Sequence, residues 1–256
     1  MSGGITMAVV HNKFESINDK IDNNKQQLFK TYIISLACAL VSFALMYLSA
    51  YLNNYFFFIV FLAITIMFVV SWYKKLAAYR VQTSINSVGA EGEELAVTYL
   101  KILDNNYHII PNAILNYVEK RSETDVIVVG PTGVFIVEVK NYKGFIQGNT
   151  SDHNLVQIKT DNYGNSFEKP FYNPVKQVGT HRYTLNGVLN SNGINTNINI
   201  CVFFTNKEAC VNIVNDNGSD CAIITDYHTL IEYIRNRNVV FNADEIDSII
   251  NSIIPN

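Results

Sequence analysis

Two runs without a charged residue, TYIISLACALVSFALMYLSA (31–50) and YFFFIVFLAITIMFVVSWY (55–73), constrain this chain more than any other feature in it. Each is long enough to cross a bilayer as a helix, since about 20 residues rising roughly 1.5 Å each span about 30 Å of hydrocarbon. Only YLNN (51–54) separates them, so two helices here must form a tight hairpin. A cleaved secretory signal fits poorly, because the polar residues 1–30 come first and no small-residue cleavage site precedes a mature domain. A helical pair buried in a soluble core is the competing reading, and charge-free runs of this length are rare there. Lys13, Lys20, Lys25 and Lys30 precede the first run, Lys74, Lys75 and Arg80 follow the second, and the turn is uncharged. Positive residues stay on the cytoplasmic side. The expectation is a multi-pass protein of the inner (cytoplasmic) membrane, with the lipid bilayer as a partner and both termini and the soluble part in the cytoplasm.

The chain then divides into a polar segment (1–30), the hairpin (31–73), a stretch continuing as helix or linker (74–88), and a soluble domain (89–256). Phe14, Ile17 and Ile21 stand at helical spacing, which leaves a short amphipathic helix and disorder both open for the first segment. Cys38 lies inside the first run, and Cys201, Cys210 and Cys221 show neither CxxC pairing nor zinc-ligand spacing, so they read as small core residues of a reducing compartment. Residues 74–256 carry 15 Lys/Arg against 19 Asp/Glu. That balance excludes a broad nucleic-acid-binding surface and leaves room for a local one.

From residue 89 the pattern is that of an α/β domain. EGEELAVTYLKIL (91–103) is helical, with Ala96, Val97, Leu100 and Leu103 on one stripe; YHIIPNAIL (107–115) reads as an edge strand interrupted by Pro111. A hairpin over 125–140 comes next, then a polar segment to about 172 in which FIQGN and LVQIKT are short strands. Asn173 as N-cap and Pro174 at the first helical position start a helix. INICVFFT (198–205) and CAIIT (221–225) are strands, and YHTLIEYIRNR and ADEIDSIINSII are amphipathic helices. A mixed sheet flanked by helices accommodates this order.

The hairpin TDVIVVGPTGVFIVEVKN (124–141) carries the chemistry. Side chains alternate along a strand, so Val137 and Val139 enter a core while Glu138 and Lys140 share the other face. With Pro131-Thr132 as a two-residue loop, Asp125 falls opposite Glu138, their Cβ atoms about 5 Å apart. Two ionised carboxylates at that range repel by roughly 3 kcal/mol at an effective dielectric near 20, which a cation between them would reverse. A three-residue loop with Gly133 in a bulge would split the pair between faces. By the first register Glu123 also faces Lys140, an ordinary ion pair, and the hairpin alone leaves these readings open.

The flanking helices add to the first reading. Glu93 shares the stripe of Val97 and Leu100, and a carboxylate on a core-facing stripe needs a partner. Gln177 and His181, four apart, project from one side of their helix and can hold a phosphate or a water.

GAEGEELAVTYL, TDVIVVGPTGVFIVEVKNYKG and NPVKQVGTH, in this order, resemble the NERD (nuclease-related) domain over about 89–205. The resemblance implies a restriction-endonuclease-like α/β fold with a D…(E/D)xK site. It assigns the helix glutamate to Glu93, the metal-binding aspartate to Asp125, the ExK pair to Glu138 and Lys140, and the later glutamine to Gln177. Two departures, Thr124 where the family has an aliphatic residue and a missing tryptophan after the hairpin, touch no ligand. Joined to the apolar hairpin, the resemblance implies a membrane-anchored endonuclease dependent on Mg²⁺ or Mn²⁺. Asp125, Glu138 and the Val139 carbonyl hold the ion, a donor set suited to hard cations. DNA is the expected substrate ahead of RNA, with His181, Lys143 and Lys176 as phosphate contacts and Lys169 and Arg182 completing a positive rim. A homo-oligomer is compatible with the sequence. The alternatives are a non-catalytic module of the same fold that binds nucleic acid or protein, and a membrane protein whose hairpin does the work. The runs contain no ionisable residue, which disfavours a transport path through them.

Overall fold

The computed structural model describes residues 7–12, 17–52, 54–161 and 163–254, the backbone alone at 17–21. Phe14 and the side chains of Ile17 and Ile21, on which the amphipathic reading rests, lie outside the described residues. The chain forms two compact units, one of residues 17–88 and one that joins residues 1–16 to residues 89–256.

The first unit is helical. α1 (Ile17–Tyr51) and α2 (Tyr55–Leu100) are long and apolar enough to cross a membrane. Ser42 and Thr65 share a 2.7 Å hydroxyl hydrogen bond between them, and the Tyr32 and Trp72 rings meet at 5.5 Å. Much of their remaining apolar surface is exposed: Phe56 is 71% exposed and Ile59 63%. A helix in a soluble core covers its apolar stripe, and among the described residues nothing covers these. The stretch 74–88, open between helix and linker in the sequence, is helix, and α2 runs unbroken to Leu100. The helix expected over 91–103 is therefore the end of α2, closed by a turn in which the Leu103 N–H donates to the Leu100 carbonyl.

The second unit is mixed α/β, with sheets flanked by helices. Its larger sheet has the order β1-β2-β3-β4-β8-β10, built from β1 (Val9–Val10), β2 (His108–Tyr117), β3 (Lys120–Gly130), β4 (Gly133–Lys140), β8 (Ile198–Phe204) and β10 (Ala222–Ile224). β2, β3 and β4 are antiparallel neighbours, and β4, β8 and β10 run parallel. The interior strands read as near-continuous Val/Ile/Phe runs because both faces of the sheet are covered. On one face α3 (Pro174–Ser191) and α5 (Ala243–Ile253) pack on Ile127, Ile136 and Ile200; on the other, the end of α2 and α4 (Tyr227–Arg235) pack on Val128, Val137 and Phe203.

Two features depart from the single-sheet expectation. β5 (Gly144–Asn149), β6 (Asn154–Thr160), β7 (Ser166–Tyr172) and β9 (Ala209–Val214) form a second sheet, ordered β7-β6-β5-β9. Its inner face, with Ile146, Phe171 and Val211, joins the core under α3. The polar segment near the N-terminus supplies β1, which pairs with His108 and Ile109 and takes the edge position expected for β2. It stops just before Pro111, which has no N–H to offer a neighbour.

Candidate active site

The hairpin adopts the two-residue loop. Gly130 pairs with Gly133, and the ladder runs to Val126 opposite Val137. Gly133, at φ 139°, takes a conformation that side chains disfavour. Val137 and Val139 enter the α2–α4 core. Glu138 and Lys140 face α3, as strand alternation requires.

One step beyond Val126 the pattern breaks. In β2, Ile110 and Ala113 both face the α3 core although they stand three positions apart. Asn112 between them has φ 53°, a region asparagine tolerates. β3 shifts with it, so that Ser122 and Ile127 share the α3 side although they stand five positions apart. At this dislocation stands Asp125. Its Oδ2 accepts the Val139 N–H at 2.7 Å, so a side chain makes the bond that a continuing ladder would have made.

Around Glu138 the groups converge. Its side chain has no exposed surface; Oε1 accepts from Lys140 Nζ at 2.6 Å, and Oε2 lies 3.2 Å from His181 Nε2. Lys140 also donates to Gln177 Oε1 at 3.2 Å, so its amine turns to these groups. The ring of His181 is set by Ser122, whose hydroxyl meets Nδ1 at 2.5 Å. Glu138 Oε2 and His181 Nε2 are close but badly aligned, and both stay buried without a hydrogen bond. Groups in that condition cost free energy unless something else engages them.

The electrostatics follow from this packing. Burial opposes ionisation of Glu138, yet the His181 imidazole and the Lys140 ammonium outweigh it and hold the carboxyl below its usual range. Asp125 moves the other way: burial, then the Glu138 charge, push it up to about 7 against Lys140 and the Val139 N–H. Burial also works against the Lys140 ammonium, and Glu138 and Asp125 more than restore it, so its pKa is raised. Two adjacent carboxyls of which one holds its proton toward neutrality are a pair lacking positive charge.

A divalent ion fits that deficit. Among the described residues no group of three or more His, Cys, Asp or Glu side chains gathers as a metal cage, which weighs against a closed zinc site. Asp125, Glu138 and the Val139 carbonyl are a smaller, all-oxygen set. It suits Mg²⁺ or Mn²⁺, which keep waters and take ligands from substrate phosphates. The unsatisfied Glu138 Oε2 is the observation behind the fit.

α3 is placed by its N-cap. Asn173 is fully buried; its Oδ1 accepts the Val175 N–H, and its amide donates to the carbonyls of Asn149, Thr150 and Asp152. This ties α3 to the second sheet and fixes Gln177 and His181, one turn apart, beneath Lys140 and Glu138. His181, expected at a phosphate, is buried and reaches the carboxylate instead. α2 delivers Glu93 from the opposite layer: Gly92 beside it lies so close to Asn141 and Thr205, past the ends of β4 and β8, that a Cβ would sit 2.7 Å from Asn141 Cβ. Arg182 is engaged by Asp220 at 2.5 Å. Lys176 lies in the first turn of α3, and Lys143 is exposed at the entry to β5. Ser122 is the residue that sequence reasoning missed; a lone serine in a strand carries no signal of its partner.

Residues 88–205 match the nuclease-related domain family, NERD. An uncharacterized protein of Bacillus anthracis is 34% identical over 93 residues, which are 35% of this chain and 43% of that protein. The chain thus spans less than half the length of this relative. No solved structure matches.

Proposed function

We propose that the chain is a membrane-anchored phosphodiester hydrolase of restriction-endonuclease-like type, dependent on Mg²⁺ or Mn²⁺, that acts on DNA. The buried Glu138, with one oxygen on Lys140 and the other without a hydrogen bond 3.2 Å from His181 Nε2, carries this reading. When bound by Asp125, Glu138 and the Val139 carbonyl, the ion would lower the pKa of a water and offset charge on the scissile phosphate. Lys140 keeps its ammonium directed at the carboxylates, where it can orient an attacking water or hold a phosphate oxygen. Gln177 gives its carbonyl oxygen to Lys140 and so keeps its two amide N–H donors for an anionic oxygen. His181, positioned by Ser122, holds Glu138 in place, and Glu93 enters from the α2 side as a further acidic group. The bare apolar surface of α1 and α2 supports a bilayer as their surroundings. Because β1 precedes the helical pair and shares a sheet with β2 beyond it, a membrane crossed by that pair is crossed an even number of times. The N-terminal segment and the hydrolase unit then share one side, and the flanking lysines make it the cytoplasmic side.

The test uses the full chain in lipid nanodiscs, because a fragment starting after the hairpin would lack β1. Plasmid DNA is incubated with Mg²⁺ or Mn²⁺, with chelator, and with a Glu138→Gln variant. Nicking that needs the ion and is lost in the variant supports the reading. Failure of calorimetry to detect Mn²⁺ binding to the wild-type chain sinks it. DNA binding and cellular effect that persist unchanged in Glu138→Gln establish the non-catalytic alternative.

A further inference from the structure

The inner face of the second sheet changes character along its length. Next to α3 it is apolar, with Ile146, Phe171 and Val211. In the register of β6 and β7, Gln157 pairs with Lys169 and Lys159 with Phe167, so Lys159, Lys169 and Phe167 lie on that same inner face. Gln157 is buried and donates its amide to the Lys143 carbonyl at 2.7 Å, which fixes the chain three residues beyond Lys140. Gly144, next in sequence, is held at φ 87° with its α-carbon so near the Ile158 carbonyl that a Cβ would lie 2.6 Å from it. Gly144 thus brings the backbone beside Lys143 against β6. Burial, then Lys169 and Lys143, lower the pKa of Lys159. Three like charges brought together repel, and none of the three makes an ion pair within 4 Å among the described residues. Glu168, their neighbour in β7, occupies the outer face.

We propose that Lys143, Lys159 and Lys169 form a track for the phosphate backbone of the nucleic-acid strand that enters or leaves the Asp125–Glu138–Lys140 cluster, with the half-exposed Phe167 ring available to stack on a base. The proposal rests on the hydrolase reading for its direction and on the lysine geometry for its ligand. A chain with an acidic balance can hold a polyanion only where its cations are concentrated, and ammonium groups beside an exposed ring are the pairing that single-strand grooves use. Lys159 and Lys169 share one face of the sheet, and Lys143 stands just before β5, three residues after the end of β4 at Lys140.

Binding is measured by fluorescence anisotropy on the full chain in nanodiscs of neutral lipid, in a Glu138→Gln background that cannot cleave. The probes are a labelled single strand and the same sequence as a duplex. Lys159→Glu/Lys169→Glu is expected to weaken binding of at least one probe tenfold or more at low salt. Neutralising the pair to glutamine is expected to reduce the slope of log K against log salt by about 1.4 to 1.8, given roughly 0.7 to 0.9 per phosphate contact. Phe167→Ala is expected to lower single-strand affinity while leaving the salt slope unchanged. Unaltered affinity and slope in both lysine pairs overturn the track and leave the hydrolase reading standing. Absence of any metal-dependent cleavage by the parent chain, alongside lysine-dependent DNA binding, removes catalysis and keeps the track. Binding of the lysine face to anionic vesicles with none to either DNA probe overturns it in favour of a lipid-facing role. Circular dichroism of each variant shows that the second sheet is intact.

Discussion

Asn173 and Glu138 are both buried polar side chains under α3, and the fold treats them in opposite ways. Every hydrogen-bonding position that Asn173 uses is answered: three carbonyls receive its amide, and its oxygen caps the helix. Glu138 is answered on one oxygen only, and the other remains buried beside a misaligned imidazole. A satisfied buried network rigidifies, and a half-satisfied one is costly unless a ligand completes it. Asn173 is thus the support and Glu138 the position left open for chemistry. The difference teaches how to separate stability from function in this unit.

Breaking the support should give the largest effect. Asn173→Ala removes an N-cap and the amide donations to three carbonyls, and is expected to cost about 2–4 kcal/mol. It should show as a lowered urea midpoint of the second unit. A loss below about 1 kcal/mol would mean that α3 is held by its apolar face alone. Glu138→Gln comes next, and acts on rate: ion-dependent nicking should fall on the order of 10²–10⁴-fold while the urea midpoint moves far less than in Asn173→Ala. Equal losses of activity per folded molecule in the two variants would erase the distinction.

Asp125 sharpens the comparison through pH. Its folded pKa of about 7 lies above the ordinary carboxylate value, so between about pH 4 and 7 the folded state binds the extra proton. Stability contributed by that proton is full below the unfolded value and is lost as pH rises through about 7. Without metal, Asp125→Asn should therefore stabilise the unit at about pH 8 by roughly 2 kcal/mol and change little at about pH 4. Saturating Mn²⁺ should stabilise the parent and not the variant.

The smallest effect belongs to the β1 edge. His11 Nε2 and His108 Nδ1 meet at 3.0 Å. Burial first, then His11, lower the pKa of His108 against the pull of Asp247. A depressed histidine has the opposite sign: its contribution is present at about pH 7 and lost as pH falls through the ordinary imidazole range. Protection of the β1 amides from hydrogen exchange should drop at about pH 5, by about 1 kcal/mol or less, and His108→Gln should flatten that dependence.

Much of the site was legible because its signals are local. The Asn173-Pro174 pair announced the start of α3, and the four-residue spacing of Gln177 and His181 put them on one side of it. Val137-Glu138-Val139-Lys140 assigned faces by alternation alone, whereas the Gly-Pro-Thr-Gly turn left two hairpin registers open until the ladder chose the two-residue loop. What stayed hidden depends on distant partners. Val9 and Val10 form a strand only because His108 and Ile109 offer an edge, and Ser166–Tyr172 reads as polar loop until β6 lies beside it. His181 carried no mark of the carboxylate behind it, and Asn112 none of the dislocation that turns Asp125 toward Val139.

The sequence by itself determined the two long apolar helices, the Asn173 cap that starts α3, and the face on which each acidic and basic group of β4 stands. These arise from hydrophobic run length, backbone chemistry and side-chain period, all properties of neighbours along the chain. Only the tertiary structure decided that β1 closes the sheet, that a second sheet gathers three lysines, and that Asp125, Glu138, Lys140 and His181 share one buried pocket of charge. Those depend on which non-local strands pair and how far burial removes water, and free energies of that kind have no imprint in the order of adjacent residues.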